Sequence, residues 1–194
     1  MKIVCVLGSP RPQGNTAALA RHFCDEAGKL GAECSVYALN KLGYRACQGC
    51  YACKSKVEKC ILSDDLTRVL DAAAEADVLV LATPVYYGDV TAQMKGFIDR
   101  TFSWLKPDFM TNPSPSRLEP GKTLVFILAQ GQPDTTMFAD VAPRYEQFFK
   151  FYGFKESRVV RACGVNQAGD VLADPFHADE VSGVVQSLLA PERP

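Results

Sequence analysis

Four cysteines crowd one short stretch of the chain. Cys47, Cys50, Cys53 and Cys60 form the pattern C-x2-C-x2-C-x6-C. A spacing of three sets successive side chains on nearby faces of a tight turn or helix, whereas a strand would send them to alternate sides. Three closely spaced thiolates and a fourth a short loop away can wrap a cubane [4Fe-4S] cluster. Tetrahedral zinc is a competing load, although its usual arrangement is two C-x2-C knuckles separated by a longer span. Free or redox-active thiols are the third reading. Lys54, Lys56 and Lys59 lie in the same stretch and would partly offset the negative charge of a cluster. The chain has eight cysteines in all. Cys5, Cys24, Cys34 and Cys163 fall on predicted strands or a predicted helix and read as plain buried residues.

A second kind of chemistry sits near the start. An apolar run, Met1 to Leu7, leads into Gly8-Ser9-Pro10-Arg11-Pro12-Gln13-Gly14-Asn15-Thr16 and then a helical pattern. Free backbone N–H groups and the helix dipole converge at such a junction and favour an anion. Ser9, Asn15 and Thr16 add hydroxyl and amide donors, Arg11 adds a cation, and Gly14 lets the backbone approach closely. The nucleoside-triphosphate loop ends in Gly-Lys-Ser/Thr, and here Gly14-Asn15-Thr16 lacks the lysine. The dinucleotide fingerprint needs three glycines, and only Gly8 and Gly14 are present. A loop of neutral donors with one arginine suits a single phosphate monoester.

A third segment, Thr83-Pro84-Val85-Tyr86-Tyr87-Gly88-Asp89, follows another apolar run, at the carboxyl end where open α/β sheets hold ligands. Two adjacent tyrosines and a glycine can offer a flat face and backbone N–H groups to an aromatic ring. A polar loop at the same edge, Ala129-Gln130-Gly131-Gln132-Pro133, follows the next apolar run. Together these loops suit one phosphate plus one flat heteroaromatic ring. His22 and His177, the two histidines, stand beside no nucleophile, so no hydrolase triad is visible and no side chain is assigned a catalytic role.

These loops need elements to hold them. Buried strands are expected at 1–7, 34–39, 77–84, 123–129 and 155–163. Helices are expected from about residue 15, capped by Asn15-Thr16 and ended by Gly31, and at 66–76, 90–105, 139–152 and 178–189. Asp64 and Asp65 suit the positive N-terminus of the second of these helices. The strands are continuous apolar runs, not period-2 alternations. That marks a parallel sheet covered on both faces, hence a doubly wound α/β fold. The 194 residues suit one domain over 1–194. Two segments exceed ordinary connections: the cysteine-bearing loop 41–63 and the proline-rich loop 106–121. Trp104, with Phe97, Phe102 and the proline-rich loop, is expected to pack against another subunit. Lysine plus arginine is 21 and aspartate plus glutamate 22, a net charge of -1 that gives no support for nucleic-acid binding. No apolar run approaches the ~20 residues that span a bilayer. The apolar start is too short for a signal peptide, so a reducing cytoplasmic location is expected, without disulfides.

Gly8-Ser9-Pro10-Arg11 with Gly14-Asn15-Thr16, then Thr83-Pro84-Val85-Tyr86-Tyr87-Gly88 and Lys95-Gly96-Phe97-Ile98-Asp99-Arg100, resembles the flavodoxin-like NAD(P)H-dependent FMN reductase family, and most of all its iron–sulfur flavoprotein branch. The resemblance runs from residue 1 to about residue 165. It implies a five-stranded parallel sheet in the order 2-1-3-4-5, with FMN at the strand ends. It implies that Ser9, Arg11, Asn15 and Thr16 hold the phosphate. Pro84, Val85, Tyr86, Tyr87 and Gly88 would line the isoalloxazine, and Gln130 and Gly131 would form a third flavin loop. The branch uses a compact cysteine motif for [4Fe-4S], while many relatives with a similar loop are FMN-only enzymes. The implied activity is electron transfer from NAD(P)H or a ferredoxin-like donor through FMN to a quinone, a flavin or another acceptor. An FMN/[4Fe-4S] electron-transfer module serving a protein partner is the alternative. A zinc-stabilised binding module is a third reading. A homodimer or homotetramer is implied as well.

Overall fold

The computed structural model describes residues 1–190. Six strands form: β1 (Lys2–Leu7), β2 (Glu33–Ala38), β3 (Val78–Tyr86), β4 (Asp89–Val90), β5 (Lys122–Gln130) and β6 (Phe154–Cys163). Five are parallel and stand in the order β2-β1-β3-β5-β6. This is the expected 2-1-3-4-5 once β4 is left out of the count. β4 is a two-residue antiparallel partner of the end of β3. The inner strands are buried almost end to end, as their unbroken apolar sequences require.

Helices cover both faces. On one face α1 (Asn15–Lys29) and α7 (Pro175–Leu189) pack over Ile3, Cys5, Val80, Val125 and Ile127. On the other, α3 (Asp65–Glu75), α4 (Ala92–Arg100) and α5 (Val141–Phe151) pack over Val4, Val6, Leu79, Leu81, Phe126 and Leu128. Alternate strand residues therefore feed two separate cores. Two short helices, α2 (Ala52–Ser55) and α6 (Asp170–Ala173), lie in loops. No helix among the described residues is long and apolar enough to cross a membrane.

Several local expectations are corrected. The amphipathic stretch 90–105 is not one helix. Val90 belongs to β4, Thr91 caps α4, and Thr101–Trp104 is a 3₁₀ turn. The reason is the Thr91 hydroxyl, buried where three elements meet. It accepts from Met94 N at 3.2 Å as the helix cap and donates to Gly8 O at 2.8 Å. The cap of α1 is Gly14, without a side-chain capping bond, and not Asn15-Thr16. Trp104 and Phe97 are buried in their own chain. The Trp104 ring meets Phe97 and Tyr152 edge-on at 6.3 and 5.7 Å, so Trp104 is not the subunit contact expected of it.

The cysteines outside the loop also divide unexpectedly. Cys5 is wholly buried, and burial pushes its thiol up to about 12. Cys24 and Cys34 are not plain buried residues. Their Cα atoms are 5.7 Å apart and the sulfurs are joined as a disulfide. α1 turns back at Gly31 and lays Cys24 against the edge strand β2, where both cysteines are half-buried. Alkylation of the denatured chain should then label six thiols without reductant and all eight after reduction. Replacing Cys24 by alanine should cost about 2 kcal/mol against the oxidised form, read by thermal melts, because the bond closes a short loop in the unfolded chain. Eight thiols labelled without reductant would contradict the pairing.

Candidate functional site

Parallel strands deliver their carboxyl ends to one edge, and the loops there build a pocket of about 190 Å³. Ser9, Arg11, Gly14, Asn15 and Thr16 line it from the first loop, with Pro84, Val85 and Tyr86 from the end of β3. Ala129 and Gly131 line it from the end of β5, and Val165, Asn166 and Ala168 from the segment after β6. Nine of the expected ligand residues thus meet in one place.

Within the first loop the Ser9 hydroxyl accepts from Arg11 N and donates to Arg11 O, each at 3.2 Å, which folds the loop back on itself. Thr16 is almost wholly buried beneath it. Asn15 lines the pocket, yet its side chain is committed elsewhere. Its Nδ2 donates to Gln167 O at 2.8 Å, and its Oδ1 accepts from Gly169 N at 3.1 Å. What Asn15 can offer an anion is its backbone N–H at the start of α1.

The aromatic loop is a hairpin. Tyr86 pairs with Asp89, and the two turn residues take positive φ, 52° at Tyr87 and 75° at Gly88. That is the pattern of the primed turns that suit twisted strands. Gly88 also packs where a side chain would meet the Phe138 ring at 3.2 Å. Tyr87 stands fully in solvent and, like Gly88, lines no part of the pocket. The hairpin is tied to α5: Tyr145 Oη donates to Asp89 Oδ1 at 2.7 Å and Arg144 donates to Gly88 O at 2.9 Å. Burial, first, and this bond to Asp89 raise the Tyr145 hydroxyl well above the ordinary phenol range, so it stays a donor.

Gln130 is buried, and its side chain is spent on the loop, not offered to a ligand. Its Nε2 donates to Gln132 O at 2.9 Å, and its Oε1 accepts from Arg161 at 3.0 and 3.2 Å. A Cβ at Gly131 would stand 2.2 Å from Asn166 Oδ1, so the exposed Asn166 side chain would have to swing aside. The segment 165–168 is a part of the pocket that the sequence reading missed. Its signal was its place after the last parallel strand.

A second, larger cavity, of about 700 Å³, also touches the hairpin, and all four loop cysteines line it. Asp89 from the hairpin and Lys95, Asp99 and Arg100 from α4 line it too, with Tyr145, Phe148 and Tyr152 from α5. Cys47 and Cys50 are exposed, Cys53 and Cys60 half-buried, and all four are free thiols.

Arg100, the last residue of the Lys95–Arg100 stretch that carries the family resemblance, closes this loop, a task the sequence did not assign to it. It is fully buried, yet its Nη1 donates to Arg45 O and to Asp64 Oδ2, both at 2.9 Å, and its Nη2 donates to Leu62 O at 3.2 Å. One side chain therefore pins the backbone two residues before Cys47 and two after Cys60. Asp64 also accepts from Leu66 N and Arg45 N, and Thr67 completes the capping box of α3. Arg100 Nε is buried without a hydrogen-bond partner among the described residues. Among the described residues no three side chains of His, Cys, Asp or Glu stand close enough to hold a single metal ion; the four thiols share one cavity, and the orphaned Arg100 N–H that borders it is a donor suited to an anionic group.

The turn of the loop is held by two more cations. Lys54 Nζ donates to Phe102 O at 2.6 Å and Leu105 O at 2.9 Å, lies 4.0 Å above the Phe102 ring, and stands 3.5 Å from Cys53 Sγ. Burial pushes the Lys54 ammonium down, and Cys53 and Cys47 oppose that shift. Arg117 Nη2 donates to Cys53 O at 3.2 Å. Lys59 is drawn away to Asp71 at 2.7 Å, and Lys56 is exposed.

A parallel 2-1-3 sheet with a phosphate-sized pocket at its carboxyl edge defines a flavodoxin-like α/β protein. The sequence model of the NADPH-dependent FMN reductase family matches residues 1–140, and the chain belongs to that family. Over 101 residues it is 39% identical to an iron-sulfur flavoprotein of Methanocaldococcus jannaschii, which covers 52% of this chain and 52% of that protein. Over 124 residues it is 30% identical to an FMN-dependent NADH:quinone oxidoreductase of Polaromonas naphthalenivorans, covering 61% and 57%. The chain spans about half the length of the curated relatives it matches. Its fold is that of an NAD(P)H:quinone oxidoreductase from Methanothermobacter marburgensis, at a TM-score of 0.76 and 16% identity over 100% of this chain and 99% of the other.

Replacing Arg100 by methionine should cost about 3 kcal/mol, because half-buried Asp64 would lose its only cationic partner and keep just the bonds from Leu66 N and Arg45 N. Burial alone would raise the Asp64 carboxyl, but the hydrogen bonds from Arg100, Arg45 and Leu66 outweigh it and hold it below the ordinary range. The stability this gives is complete above about pH 4 and is lost as pH falls through the lower folded value. The gap in melting temperature between wild type and Arg100→Met should therefore narrow between pH 5 and pH 2. A gap that stays constant over that range would refute the pairing.

Proposed function

We propose that this chain is an FMN-dependent oxidoreductase that moves electrons from NAD(P)H or a ferredoxin-like donor to a quinone, a flavin or another acceptor. We propose too that Cys47, Cys50, Cys53 and Cys60 hold a [4Fe-4S] cluster beside the flavin. The observation that carries this reading is the hairpin 84–89. Its Pro84, Val85 and Tyr86 line the pocket built by the first loop, and its Asp89 lines the four-cysteine cavity.

FMN, when bound, supplies hydride and single-electron chemistry, and the protein supplies position and electrostatics. Ser9, Thr16 and the first N–H groups of α1 bind the phosphate, with Arg11 as its cation. The pocket is smaller than the roughly 300–1,000 Å³ of whole-ligand pockets. It therefore suits the phosphate end, while Pro84, Val85, Tyr86 and Gly131 border the ring. Tyr87 leaves the tip of the hairpin open to a second substrate. No side chain here is required to transfer a proton.

The alternative, an FMN/[4Fe-4S] module that exchanges electrons with a protein partner, is favoured by the exposed aromatics around the cysteine cavity, Tyr51 and Phe148. The same exposed rings support a homodimer or homotetramer, and a cytoplasmic location completes the reading. Protein purified without oxygen should show flavin absorbance, one FMN per chain and stoichiometric iron and sulfide. Bleaching by NADPH marks the reductase. Slow bleaching by NADPH with fast reduction by a ferredoxin marks the module. Colourless protein that takes up no added FMN would sink both. Arg11→Ala and Thr16→Val should each weaken FMN binding about tenfold, as expected for one lost bond to a charged group. Unchanged affinity in a fluorescence titration would remove the first loop from the phosphate site.

A further inference from the structure

We propose that Lys54 is a positioning residue of the four-cysteine site: its ammonium holds Cys53 at the turn of the loop and supplies the positive charge that lets four thiolates share one cavity. The inference rests on the reading of these cysteines as a cluster site, and it goes further by assigning a task to one of three lysines that the sequence left equivalent.

The geometry separates the three. Lys59 is neutralised by Asp71 and Lys56 faces solvent. Lys54 alone is turned inward, and its donors go to Phe102 O, Leu105 O and Cys53 Sγ. Both carbonyls come from the turn that ends α4, so Lys54 ties the loop to the end of the helix that carries Arg100. No carboxylate pairs with Lys54 among the described residues; the nearest anion it can have is a thiolate. Arg100, by contrast, spends its charge on Asp64. Arg117 grips the carbonyl of Cys53 and leaves its sulfur to Lys54.

Charge makes the demand plain. Each cysteine that ligates a metal gives its proton to the buffer. Four thiolates outweigh the net charge of the iron and sulfide core they would surround, and every added electron deepens the excess. A half-buried cation at hydrogen-bond range offsets that excess far better than an exposed one, because solvent screens it less.

The test compares Lys54→Met, Lys54→Arg and Lys56→Met. In reduced, cluster-free protein, Cys53 is alkylated with anionic iodoacetate and with neutral iodoacetamide, and the sites are read by peptide mass spectrometry. The ratio of the two rates reports local positive charge, because the thiolate fraction cancels. In the wild type this ratio should be higher at Cys53 than at Cys50 and should fall with added salt. Lys54→Met should lower it about fivefold, Lys54→Arg should keep most of it, and Lys56→Met should leave it unchanged. In reconstituted protein, Lys54→Met should also lower the midpoint potential of the cluster. A wild-type ratio no higher at Cys53 than at Cys50, or a Lys54→Met ratio equal to that of Lys56→Met, would overturn the proposal. Wild type that takes up no iron and sulfide would remove the cluster reading, and the alkylation ratio would still decide the role of Lys54.

Discussion

Parallel pairing is the constraint on which the rest of this structure depends. Antiparallel strands would scatter their ends over two edges. Five parallel strands bring residues 8–16, 84–89, 130–131 and 164–169 to one edge, although more than 150 residues separate the first from the last. The cost is that each inner strand must be apolar on both faces, which is why two cores exist and why the strands read so plainly. Everything polar that this protein uses is therefore pushed out to the loops.

Those loops are held mainly by side chains that hydrogen-bond to backbone, some of it near in sequence and some distant. Asn15 ties α1 to the segment after β6, Gln130 orders residues 132–137, and Thr91 joins the ends of β1 and β3 to α4. Arg100 does the same for the cysteine loop, from inside a helix. A loop fixed in this way loses its conformational freedom during folding and not at the moment a ligand arrives, which is how preorganisation raises affinity. It also explains why Asn15 and Gln130, which look like ligand donors in sequence, turn out to spend their side chains on architecture.

Legibility in the sequence followed the range of the interaction. The β3 and β5 strands, the first loop and the cysteine spacing are all local patterns, and each stands where it was expected. The helix assigned to 90–105 was wrong in detail because the residue that interrupts it, Thr91, answers to Gly8, just past the end of β1. Cys24 and Cys34 looked like core residues because nothing local says that α1 folds back along β2. Lys54, Lys56 and Lys59 were indistinguishable as letters, and only the turn after α4 selects among them.

By itself, then, the sequence determined the alternation of strand and helix, the parallel sheet, and which segments carry donors, rings and thiols, since these depend on periodicity and composition within a few residues. The tertiary structure decided which donors remain available, that the hairpin 84–89 contributes to two cavities, and that one buried arginine and one inward lysine border the thiol loop. Those outcomes depend on contacts between residues tens of positions apart, and the energy of such a contact is set by burial and distance, which no local pattern encodes.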